Sequence, residues 1–154
     1  FEYFSYLSDA FAVFSVPVFR NSVREEQRNP KKIYAVDNGF QSVFDVSLSD
    51  NIGRLYENAA FLHLRRNSKE VYYFLQKQEV DFYCNTNNEK TVANISYDIS
   101  LPKTRKRELN GLLEALNFLG CDKGYLLNKD HEEIVKSQGK TIVILPLWKW
   151  LVDF

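Results

Sequence analysis

Glu79 and Asp81, in the run QEVDFYCN at residues 78–85, have the types and spacing to do chemistry. Val80, Phe82 and Cys84 alternate with Glu79, Asp81 and Tyr83, which is the period of a β-strand. That alternation places both carboxylates on one face and an apolar set on the other. Asp is depleted in strands, and here it sits in the middle of one. A third carboxylate, Glu57, falls on a predicted helix, with Ala60, Phe61 and Leu64 three, four and seven residues onward. Carboxylates on neighbouring strands, one on a helix, and a lysine are the parts of a metal-dependent phosphodiesterase. Magnesium or manganese takes hard oxygen ligands, activates a water and neutralises charge on the phosphate. A lysine orients or deprotonates that water. Two plainer readings stay open: a solvated strand face, and a surface Glu57 paired with Arg54.

The elements that must hold these residues follow from patterning. Phe4, Leu7, Phe11 and Phe14 have helical spacing, which predicts a helix over Tyr3 to Phe14. Val16 to Phe19 reads as extended around Pro17. Asn21 to Lys32 is polar and reads as a loop. Ile33 to Val36 reads as a short strand, and Asp37-Asn38-Gly39 as a turn. Asp50 or Asn51 could cap a helix from about Ile52 to Arg66. Strands are predicted at Glu70 to Leu75, Glu79 to Cys84 and Thr91 to Tyr97. A second long helix opens at Pro102 and runs to about Leu119, with Leu109, Leu112, Leu113 and Leu116 as its stripe and Gly120 as its stop. Gly124 to Leu127 is a fourth strand. Glu133 to Val135 and Thr141 to Leu145 flank a turn, and Trp148 to Phe154 is a terminal helix or turn. The expected fold class is α/β: a mixed sheet with an antiparallel three-strand meander and a parallel fourth strand after a helical crossover.

The chain has 154 residues, 45% hydrophobic and 15% aromatic, enough for one domain with a real core. Lys plus Arg equals Asp plus Glu, 20 each, so any nucleic-acid role needs a local basic patch. The two cysteines, Cys84 and Cys121, form no CxxC pair, which favours a reducing, cytoplasmic compartment. No apolar run approaches the roughly 18 residues of a membrane span, so no membrane partner is expected. The chain starts at Phe1 and contains no Met, which suggests a piece of a larger protein.

GRLYENAAFLHLRR, EVDF, the crossover helix and the closing PLWKWL together resemble the C-terminal domain of a family of prokaryotic AAA+ type ATPases. NPKKIYAVDNGF and TRKRELNGLLEAL fit the same family, and the resemblance spans nearly the whole chain. That domain is similar to the PD-(D/E)XK nucleases, so the resemblance implies an αβββαβ restriction-endonuclease-like core at residues 50–154. Residues 1–49 would be an extension linking it to an ATPase and winged-helix part. No GxxxxGK[ST] phosphate loop is present, so ATP binding would lie outside this chain. Carried over by residue, the resemblance makes Glu57 the helix glutamate and Asp81 the metal-binding aspartate, with Glu79 and Tyr97 as accessory residues. It places Asn94 where the second acid belongs and Ser96 where the lysine belongs. Asn can offer only a neutral carbonyl, and Ser cannot replace a cation. Lys77 and Lys90 are near in sequence, but nothing in the sequence brings either to the site. The expectation is therefore a catalytically degenerate nuclease-like domain that binds DNA or a partner protein for the ATPase. An active magnesium- or manganese-dependent deoxyribonuclease is the alternative.

Lys103, Arg105, Lys106 and Arg107 crowd the start of the second long helix, where cations oppose the helix dipole. A DNA backbone would compensate them. Pairing with Glu108 and Asp98 would do the same without DNA. His63 reads as structural, and His131 lacks the second histidine of a zinc-protease signature.

Overall fold

The computed structural model describes residues 2–40, 52–68, 70–86 and 89–153. Asp50 and Asn51, the expected helix caps, lie outside the described residues. The elements in chain order are α1 (Glu2–Asp9), β1 (Val13–Val16), α2 (Val23–Arg28), β2 (Lys32–Ala35), α3 (Ile52–Asn67), β3 (Val71–Leu75), β4 (Glu79–Thr86), β5 (Glu89–Ile95), α4 (Pro102–Leu119), β6 (Lys123–Asn128), β7 (Glu133–Ser137), β8 (Lys140–Pro146) and α5 (Leu147–Asp153).

Six strands form one mixed sheet in the order β3-β4-β5-β6-β8-β7. The β3–β4–β5 meander is antiparallel, and β6 joins β5 in parallel after α4, as a helical crossover permits. β8 pairs in parallel with β6 and antiparallel with β7. Gln138 and Gly139, both at positive φ, make the tight β7–β8 turn. The sheet is covered on both faces. On one, Phe61 and Leu64 of α3 and Trp150 of α5 pack on Phe82, Cys84, Ala93 and Leu127. On the other, Leu112, Ala115 and Leu116 of α4 pack on Val80, Tyr83, Val92 and Leu126. Each such fully buried side chain contributes about 1.5–3 kcal/mol, so these two layers are the main hold on the fold. α4 ends where Gly120 takes a left-handed φ of 64° and its N–H returns to the Leu116 carbonyl.

β4 does not keep the strict alternation read from its sequence. Val71 and Tyr72 oppose Cys84 and Tyr83, yet Phe74 and Leu75 oppose Val80 and Glu79, so the register slips by one residue. This β-bulge falls at Asp81 and Phe82. It returns Phe82 and Cys84 to the α3 face and leaves Val80 and Tyr83 on the α4 face. The apolar residues expected on one face are therefore divided between two.

The N-terminal region departs furthest from expectation. The first helix stops at Asp9, and Phe14 instead lies on β1, its ring 5.7 Å from that of Phe61. Val16 ends β1, and Val18 bridges in parallel to Tyr73. The polar stretch expected to be a loop contains α2. β2 begins one residue earlier than expected and so includes Lys32. β1 and β2 pair as an antiparallel ribbon separate from the main sheet. The ribbon is tied to the domain by polar contacts: Asn58 Oδ1 accepts from Ala35 N at 2.8 Å, and Tyr73 Oη donates to the Pro30 carbonyl at 2.6 Å.

Candidate functional site: a carboxylate cluster around Lys32

The ribbon carries into the domain two residues that sequence reasoning missed, Lys32 and Tyr34. Lys32 and Tyr34 are two apart on β2 and point to the same side. Lys32 Nζ lies 3.0 Å from Glu57 Oε1, 2.8 Å from Glu79 Oε1 and 2.7 Å from Asp81 Oδ1. Tyr34 Oη donates to the same Glu57 oxygen at 2.5 Å. Glu57, Glu79 and Asp81 therefore do meet, from α3 and β4, and they meet at an ammonium. The signal was present in KKIYAV as a lysine and a tyrosine in alternation. Nothing local distinguishes that pair from any other polar strand face.

Each side chain is positioned by a specific neighbour. Tyr34 stacks on Phe61 with ring centroids 4.4 Å apart. Tyr56, next to Glu57, packs edge-on against Tyr97 at 4.9 Å. Tyr97 thus acts on the site through α3 and touches none of the carboxylates. Asp81 Oδ2 accepts from Ile95 N at 2.8 Å. The bulge frees Asp81 N from the ladder, and Asn94 Oδ1 accepts its hydrogen bond at 3.0 Å. Asn94 Nδ2 donates to Glu108 Oε2 at 2.6 Å, and Glu108 also takes Nε and Nη2 of Arg107 at 3.0 and 2.5 Å. Asn94 is 3% exposed, so its amide is fully committed. It ties the bulged backbone of β4 to α4.

Burial sets the electrostatics. For Asp81, desolvation and then the Glu57 charge push its carboxyl up to about 7, against the pull of Lys32. For Lys32, burial disfavours the charge, but Asp81 and Glu57 outweigh it and hold the ammonium above its usual range. Burial, followed by the Glu57 charge, keeps the Tyr34 phenol protonated well above its ordinary value. The cluster therefore retains protons.

The other predicted residues lie elsewhere. Ser96 falls after β5, with its hydroxyl 3.4 Å from the Asp98 carbonyl, and it makes no contact with the carboxylates. Lys90 donates to the Leu119 carbonyl at the far end of α4. Lys77 is exposed and lines a cleft of about 390 Å³ together with Glu79, Asp81, Asn94, Arg107 and Glu108. A smaller cleft of about 180 Å³, lined by Lys32, Tyr34, Arg54 and Glu57, opens on the ribbon side. Of the basic patch, Arg105 pairs with Glu133 and Arg107 with Glu108, while Lys103 and Lys106 are exposed. Asp98, the other expected partner, takes Lys129 at 2.9 Å. His63 packs against Trp150 in the core layer, with ring centroids 5.0 Å apart.

The donor set does not suit a divalent ion as arranged. Among the described residues no three His, Cys, Asp or Glu side chains are grouped to hold a metal. Three oxygens at 2.7–3.0 Å from a common point suit an ammonium. Magnesium–oxygen distances are 2.0–2.1 Å, so each oxygen would have to close in by roughly 0.6–1 Å.

No protein-family model matches the chain. The chain is similar to a protein of Methanocaldococcus jannaschii described only as uncharacterized, with 28% identity over 165 aligned positions. That alignment takes in 100% of this chain and 36% of the archaeal protein, so the chain spans about a third of that relative's length. Among the described residues no helix is long and apolar enough to cross a membrane.

Proposed function

We propose that this chain is a nuclease-fold domain that has lost cutting activity and binds DNA for a larger, cytoplasmic ATPase. The observation that carries the reading is Lys32 Nζ, which occupies the meeting point of Glu57, Glu79 and Asp81. The succession α3-β3-β4-β5-α4-β6 supports a restriction-endonuclease-like core, as does the pairing of an antiparallel meander with a parallel fourth strand. The replacement of acid by Asn94 and of lysine by Ser96 supports the loss of catalysis. Asn94 brings no charge, and Ser96 lies away from the carboxylates. Lys103 and Lys106 at the start of α4, with Lys77 at the cleft, supply the cations that a phosphate backbone needs. The ATPase itself would occupy the part of the longer protein that this chain does not span.

A second reading has one observation in its favour. The lysine missing from β5 has a spatial counterpart in Lys32, so the carboxylates of an active metal-dependent deoxyribonuclease would have a cation beside them. One experiment separates the two readings. Linear, single-stranded and branched DNA are incubated with the chain and with Asp81→Ala, in magnesium, in manganese and in EDTA, with binding and cleavage both followed. Binding that survives EDTA, with no cleavage by either protein, is the expected result. Cleavage by the parent chain that disappears in a folded Asp81→Ala would establish the nuclease instead.

A further inference from the structure

The misfit between the carboxylate cluster and a divalent ion has a specific cause, since one side chain takes the place of the ion. We propose that Lys32 is the resident cation of this seat, and that Lys32 and a divalent metal ion exclude one another there. The β1–β2 ribbon would thus keep the domain metal-free. This inference rests on the nuclease-fold reading for its choice of ligand, but its test does not depend on catalysis.

Three features of the site carry it. The ammonium is held by carboxylates from two different elements, Glu57 on α3 and Glu79 and Asp81 on β4, with no N···O distance above 3.0 Å. The ammonium also lies over the Tyr73 ring, 5.7 Å from its centroid, and the Lys32 side chain is only 20% exposed, so this is not a solvated surface lysine. Its backbone is anchored, because β2 pairs with β1 and Ala35 N donates to Asn58 on α3. A flexible lysine would leave the seat at little cost, whereas an anchored one delivers its charge at a high local concentration. Charge makes the two occupants competitors. With every group ionised, three carboxylates and one ammonium sum to −2. A divalent ion would meet that deficit better, but it cannot share the space with an ammonium of like charge.

The test uses the chain as it stands and Lys32→Met, which keeps an unbranched stem and removes the charge. Manganese ion itself is the probe, followed by loss of the free-ion paramagnetic resonance signal and by calorimetry. We expect Lys32→Met to bind manganese at least tenfold more tightly than the parent, and Asp81→Asn in the Lys32→Met background to abolish the gain. Equal, Asp81-dependent affinity in parent and variant would overturn the proposal, because metal and lysine would then coexist. A folded Lys32→Met that binds no manganese would overturn it as well. If Lys32→Met fails to fold, the Lys32 ammonium resonance is followed by nitrogen-15 NMR in the parent during magnesium titration. Displacement to a free-lysine signal supports exclusion, and a resonance unmoved up to a metal-saturated seat refutes it. None of these readouts measures cutting. Cleavage by the parent chain would therefore sink the functional reading while leaving the exclusion to be judged on its own data.

Discussion

The chain gathers charge in two places, and they behave differently. Around Lys32, three carboxylates from two elements converge within 3.0 Å of one nitrogen carried by a third, and only the Glu79 side chain is substantially exposed. At the start of α4, four consecutive-turn cations spread outward, two of them pairing with single glutamates and two facing solvent. The sequence makes the second group conspicuous and hides the first. The energetics run the other way. Exposed pairs contribute little because water screens them and side-chain entropy opposes them. Buried groups leave an uncompensated charge when a partner is removed.

Lys32→Met gives this contrast its hardest test. It strips the ammonium from three carboxylates, and urea unfolding should show a loss of about 3 kcal/mol, the low end of the range for a broken buried pair. The low end applies because the Lys32 side chain is 20% exposed. A loss below 0.5 kcal/mol (about the level of a surface pair) would erase the distinction between the two regions. Asn94→Ala comes next, at about 2 kcal/mol, since it orphans both the Asp81 N–H and a buried oxygen of Glu108. The same urea series reads it, and Asn94→Asp should fare no better because it places a second carboxylate against Glu108.

The pH dependence sharpens the comparison further. The Asp81 carboxyl is raised in the folded chain from 3.8 to about 7, so the folded state binds its proton more tightly than the unfolded state does. That contribution is present at low pH and is lost as pH rises between those two values. Asp81→Asn, fixed in the neutral form, should lack this decline. The stability difference between parent and variant should shift by something on the order of 1 kcal/mol across the window, because Lys32 and Glu57 share in the titration. A difference that stays flat with pH would mean that Asp81 is ionised throughout. Arg105→Ala should move stability least, by about 0.5 kcal/mol or less, as its pairing with Glu133 is surface-exposed. If Lys103 and Lys106 contact DNA, changing both to Glu should weaken binding and reduce its salt dependence while leaving the melting temperature unchanged.

Periodicity alone made much of the fold legible. The 3.6-residue stripe of Leu109, Leu112, Leu113 and Leu116, closed by Gly120, located α4 to the residue. Runs of alternating or continuous apolar residues located β3, β4 and β6, and the helical crossover implied the parallel β5–β6 pairing. The types and spacing of Glu57, Glu79 and Asp81 also nominated three residues, alongside plainer readings, that do converge on Lys32. These are properties of single elements, and a residue's helical or strand neighbours are written beside it in the chain.

The tertiary structure alone decided how those residues are used. The one-residue slip in β4 depends on the facing strand, so no pattern within QEVDFYCN could reveal it. Asn94 reads as a lost acid in the sequence, but in the fold it links the Asp81 backbone to Glu108 on α4. Lys32 lies 25 residues before Glu57 and 49 before Asp81, in a segment that reads as an unremarkable polar loop. Its charge reaches the carboxylates because a two-stranded ribbon packs against α3. Electrostatic partnership depends on distance in space and on the exclusion of water, and neither is encoded in the local order of residues.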